Sequence, residues 1–62
     1  MKLYTLYCKD SGDMYNAARR YTSLKRLKNY VQEARECNSL TSAMYIKNEN
    51  EHIVKRYESI NI

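Results

Sequence analysis

The chain has 62 residues and a formal net charge of +4. A chain this short forms one domain, residues 1–62, and buries roughly 60% of its unfolded surface, which leaves room for one small core and little for a preorganised catalytic pocket. No run approaches the roughly 18 apolar residues of a membrane-spanning helix, so no membrane partner is expected.

Phe and Trp are absent and seven tyrosines supply every aromatic ring. Most of these rings are expected to build the core. Tyr also suits interfaces, because its ring is apolar while its hydroxyl seeks water or a partner.

In chain order, LYTLYC (Leu3 to Cys8) is rich in Tyr, Leu and Thr and predicts a strand. KDSGD (Lys9 to Asp13) predicts a turn, with Gly12 free to take a positive φ. MYNAARRY (14–21) is ambiguous. As a strand it pairs back across the turn and gives ββαββ. As a helix it extends the apolar stripe that follows and gives βαββ. Its two alanines favour helix, whereas the turn before it and the capping residues after it favour strand.

Thr22 or Ser23 is the expected N-cap of the central helix. Leu24, Leu27, Tyr30, Val31 and Ala34 recur at helical spacing, and NSLTS (Asn38 to Ser42) ends the pattern. AMYIK and HIVKRY then predict two strands around the polar NENE, Asn48 to Glu51. The expected fold class is α+β: a small antiparallel sheet with one amphipathic helix on one face. Such a sheet leaves its other face and its edges to be covered, and in so short a chain a homodimer is the expected solution.

Charge is uneven along the chain. Residues 1–18 are neutral overall, residues 31–62 carry −1, and RRYTSLKRLKNY (Arg19 to Tyr30) carries five bases and no acid. On the helical wheel, Lys25, Lys28, Gln32 and Arg35 form a flank free of acids beside the apolar stripe. No acid stands three or four residues from Lys25, Arg26 or Lys28, so local ion pairs are lacking. These bases also lie toward the positive end of the helix dipole, each costing about 0.3–1 kcal/mol at low salt. A charge pattern that opposes helix stability points to use by a partner. The expected binding residues are Arg19, Arg20, Tyr21, Lys25, Arg26, Lys28 and Tyr30.

No catalytic residue, metal site or cofactor is expected. Cys8, Cys37 and His52 lack the paired spacing and the fourth ligand of a structural zinc site. His52 is the only histidine, and no nucleophile motif is present. Met1-Lys2-Leu3-Tyr4 leads straight into mixed polar sequence, so the expected setting is the cytoplasm, with both thiols reduced. Of the possible partners, an acidic protein surface is preferred. Nucleic acid is the alternative, since clustered bases contact phosphates and tyrosines stack on bases, although helix-turn-helix, RNA-recognition and zinc-finger motifs are missing.

The strand–YTSLKRLKNYV–hairpin layout, the polar ending KRYESINI and the overall length resemble small phage-encoded accessory proteins of the counter-defence type, which bind and block a host immune enzyme. That resemblance implies a non-enzymatic, stoichiometric inhibitor of a host bacterial defence protein, often oligomeric and working in the bacterial cytosol. A virion or assembly component is a further alternative.

Overall fold

The computed structural model describes residues 2–60. It contains β1 (Tyr4–Lys9), β2 (Tyr15–Tyr21), α1 (Leu24–Glu36), β3 (Met44–Lys47) and β4 (Ile53–Tyr57). Residues 14–21 therefore provide a strand, and the order is ββαββ. The four strands form one antiparallel sheet in the order β2-β1-β3-β4, with α1 packed on one face. The Cα extents are 37 × 24 × 14 Å, and the smallest of them accommodates one sheet and one helix without a third layer.

Both hairpins are closed by the same local device. In the first, Asp10 Oδ1 accepts the Gly12 and Met14 N–H groups at 2.8 and 3.0 Å, and Asp10 N–H donates to the Met14 carbonyl at 2.8 Å. In the second, Asn48 Oδ1 accepts the Asn50 and His52 N–H groups, both at 2.9 Å, and Asn48 N–H donates to the His52 carbonyl at 2.9 Å. DSGDM and NENEH thus share an Asx residue whose side chain organises the next four residues. The left-handed residues are Asp13 (φ 63°) and Glu51 (φ 62°), three positions after the Asx. Gly12 does not take the positive φ expected of it, because the loop geometry places that conformation one residue later.

Ser23 caps α1 from an extended backbone, its Oγ accepting the Arg26 N–H at 3.4 Å. The helix ends in a Schellman motif. Asn38 takes φ 58°, its N–H donates to the Arg35 carbonyl, and the Ser39 N–H donates to the Ala34 carbonyl at 2.7 Å. Asn fills this position because it tolerates the left-handed region better than most residues.

The core is Leu6, Leu27, Val31, Met44 and Ile46, all essentially inaccessible to water. Each such side chain contributes about 1.5–3 kcal/mol when fully buried. Tyr4, Tyr21, Tyr30 and Tyr57 pack around them, with Cys8, Leu24 and Leu40. Arg35 ties the helix end to the rest. Its guanidinium donates to the Ser42 carbonyl at 3.4 Å and to the Glu58 carbonyl, and lies 5.4 Å from the Tyr57 ring. Burial pushes the Tyr57 hydroxyl pKa up, while the Arg35 charge opposes that shift. Cys8 and Cys37 are both free; Cys8 lies on the helix side of β1, where burial raises its pKa.

Candidate functional site

Register and packing assign each strand residue to a side of the sheet. On β1, Tyr4, Leu6 and Cys8 face the helix, so Thr5, Tyr7 and Lys9 face away from it. Cross-strand partners share a face, which places Arg20, Ala17 and Tyr15 of β2 with Thr5, Tyr7 and Lys9. Lys47 and Tyr45 of β3 join them, followed by Ile53 and Arg56 of β4. Among the described residues, no helix covers this second face.

Its centre is aromatic. The Tyr7 and Tyr45 rings stack at 5.1 Å with 23° between their planes, and Tyr15 leans on Tyr45 at 4.7 Å. Lys47 Nζ sits 5.5 Å from the Tyr7 ring and 5.6 Å from the Tyr45 ring, within reach of both π faces. Thr5 and Ala17, both small, flank Tyr7 on β1 and β2. Lys9, Arg20 and Arg56 complete the basic rim. Acids border the face as well, and Glu49 accepts the Leu3 N–H at 3.2 Å beside the start of β1. Asp13 pairs with Lys9 Nζ at 3.2 Å, and Glu58 shares a shallow hollow with Tyr15 and Arg56. Among the described residues, no other lysine or arginine is in an ion pair.

The charge of the whole chain follows its elements. The strands hold Lys9, Arg19, Arg20, Lys47, Lys55 and Arg56 and no acid. The helix sets Lys25, Arg26, Lys28 and Arg35 against Glu33 and Glu36. The other five acids, Asp10, Asp13, Glu49, Glu51 and Glu58, lie in loops and the C-terminal tail. The sheet is therefore a basic slab with acidic connections.

The stretch Arg19 to Tyr30 is divided by the fold. Arg19 lies on the helix side, its guanidinium 4.6 Å from the Tyr30 ring, whereas Arg20 lies on the open side. Tyr21 and Tyr30 face each other at 6.2 Å and pack against the core, so they are half-buried spacers between β2 and α1. Lys25, Arg26 and Lys28 are exposed on the helix. Lys28 borders an open groove of about 480 Å³ between α1 and β4, together with Gln32, Arg35, Glu36, Lys55 and Tyr57.

Sequence reasoning did not single out Tyr7, Tyr15, Tyr45, Lys9, Lys47 and Arg56, which the fold brings together on the open face. For β1 and β3 the signal was present. In TLYC and MYIK, Leu6, Met44 and Ile46 alternate with Tyr7 and Tyr45, and a strand with a buried side must turn those tyrosines outward. Three tyrosines therefore belong to the open face and four to the core side.

No group of three or more potential metal ligands occurs among the described residues, and no helix is long and apolar enough to cross a membrane. Comparison with known protein families, curated proteins and solved structures returns no match.

Proposed function

We propose that this chain is a small non-enzymatic binding module whose target is nucleic acid, engaged on the open face of the sheet. The observation that carries this reading is the cluster of Tyr7, Tyr15 and Tyr45 rimmed by Lys9, Arg20, Lys47 and Arg56. Cations neutralise phosphates and release their counterions, while aromatic rings offer π surfaces to bases. The acids of the C-terminal half all lie outside the strands, and of these Glu58 borders the face beside Arg56. A salt titration tests it. Mixed-sequence nucleic acid should bind at low ionic strength, with affinity falling steeply as salt rises. Absence of binding at low salt refutes the reading.

One observation favours a second reading, that of a phage-type inhibitor blocking an acidic host defence protein in the bacterial cytosol. The groove between α1 and β4 sets Lys28, Arg35 and Lys55 against the single acid Glu36 beside the Tyr57 ring, a net basic combination suited to acidic side chains of a protein partner. In that case charge reversal at Lys25 and Lys28 should abolish capture of the partner from host lysate, while reversal at Arg20 and Arg56 should not.

A further inference from the structure

We infer that the open face selects single-stranded over duplex nucleic acid, stacking unpaired bases on the Tyr7–Tyr45–Tyr15 cluster while the basic rim holds the backbone. This rests on the nucleic-acid reading above and adds the form of the target and its mode of binding.

Shape supplies the first argument. Four strands at about 4.8 Å spacing make a slab roughly 14 Å wide before side chains are added. The DNA major groove, about 12 Å wide, admits a helix or a two-stranded ribbon, so a four-stranded face does not enter it. The tyrosines lie near the middle of that face, on β1 and β3 and leaning in from β2. A duplex laid across the rim keeps its bases stacked on one another and offers the rings nothing. An unpaired base has both π faces free.

Charge decides against another occupant, a second copy of this chain. Joining two such faces would bring Arg20, Lys47 and Arg56 against the same residues of the copy, while the nearby acids lie at the margins: Asp13 is already paired with Lys9, Glu49 accepts the Leu3 N–H, and Glu58 borders the hollow beside Arg56. The edge strands also carry adjacent bases just before their last residue, Arg19-Arg20 and Lys55-Arg56, which oppose pairing edge to edge. A polyanion removes this repulsion, and a single strand does so with bases available for the rings. Lys47, now held by the Tyr7 and Tyr45 rings, is close enough to exchange that contact for a phosphate as a base arrives.

The test uses the chain as it is, with oligothymidylate and oligouridylate of about ten nucleotides and a mixed-sequence duplex of the same length. Tyrosine emission reports directly on the rings, because the chain has no Trp. Single strands should quench it and bind about tenfold or more tighter than the duplex. Their log affinity should fall with log salt at a slope of about −2 to −3, as three or four phosphate contacts require. Tyr15, 39% exposed on an edge strand, is the site of the main variant. Tyr15→Leu should weaken single-strand binding about tenfold with the circular dichroism spectrum unchanged, and Tyr15→Phe should retain binding. Tyr45→Leu is the second variant and should act in the same direction. Equal affinity for duplex and single strand, or full affinity in both leucine variants, overturns the stacking inference while the nucleic-acid reading stands. No binding to any of the three probes overturns both. A stable dimer in light scattering that Tyr15→Leu and Tyr45→Leu dissolve also overturns the inference.

Discussion

On the helix side of the sheet, Leu6, Met44 and Ile46 meet Leu27 and Val31 in a dry contact. One residue along the same strands, Tyr7, Tyr45 and Lys47 stand on the other side, where Tyr15 leans on Tyr45 and, among the described residues, no helix lies over them. The first side has an aliphatic centre, ringed by Tyr4, Tyr21, Tyr30 and Tyr57 and covered by the helix. The second combines partly exposed rings with cations of which, among the described residues, only Lys9 is in an ion pair. On the proposed reading the difference separates stability from recognition: side chains that hold a fold together satisfy one another, whereas those of the open side keep capacity for stacking and charge.

That separation can be broken most forcefully from the core side. Ile46→Ala should destabilise the domain by about 2–5 kcal/mol, enough to unfold much of so small a protein, as read by urea or thermal denaturation. Tyr45, the neighbouring residue on the other face, should tolerate Leu with far less loss of stability. Equal losses at the two positions would mean that the open face is a second core.

Paired charge reversal compares the two basic regions. Arg20→Glu with Arg56→Glu should lower oligonucleotide affinity about 10- to 100-fold, since each change removes one phosphate contact and adds a repulsive charge. Lys25→Glu with Lys28→Glu, on the helix side, should lower it several times less. The reverse ranking in a filter-binding assay would transfer the site to the helix.

Arg26→Glu sharpens the contrast from the opposite direction. Ser23 already caps the helix, and Glu three residues later would complete a capping box while removing a positive charge from the first turn. Stability should rise by about 0.5–1 kcal/mol, measured by denaturation. A loss would show that Arg26 has a structural partner.

The smallest effect is expected at the first hairpin. The Met14 N–H, the Asn16 amide and the Gly12 N–H hold the Asp10 carboxyl below its ordinary 3.8. A depressed folded-state pKa stabilises above the unfolded value, and that contribution disappears as pH falls through the folded one. Acid titration below about pH 4 should therefore loosen the β1–β2 turn, followed by the amide resonances of Gly12 and Met14. Asp10→Asn should remove this pH dependence without affecting the second hairpin, where Asn48 already occupies the equivalent position.

Much of the fold was legible in the sequence. The Leu24–Leu27–Val31 spacing, the cap at Ser23, the stop at Asn38 and the β3–β4 hairpin are local properties and appear where periodicity and side-chain hydrogen bonding place them. The ambiguity at 14–21 was also local. Alanine favours helix only weakly, and the Asp10 carboxylate, with the pairing of β2 on β1, outweighs that preference.

The candidate site was less legible because charge along the chain is not charge in space. Arg19 to Tyr30 reads as one basic block, yet consecutive strand residues point to opposite sides, so Arg19 and Arg20 part company. Two bulges shift the alternation further. The register of β1 and β2 slips between Leu6 and Tyr7, opposite Ala18, which leaves Tyr15 and Ala17 on the open face but returns Arg19 and Tyr21 to the helix side. A similar slip between Ile46 and Lys47, opposite Val54, sets Ile53 on the open face and Lys55 and Tyr57 on the other. The sequence by itself determined the elements, the caps, the turns and the aliphatic stripe, because each depends on residues within about four positions of one another. Only the tertiary structure decided which tyrosines share a face and which cations surround them, because a single inserted residue reverses the phase of a strand and pairing with a distant strand fixes where it falls.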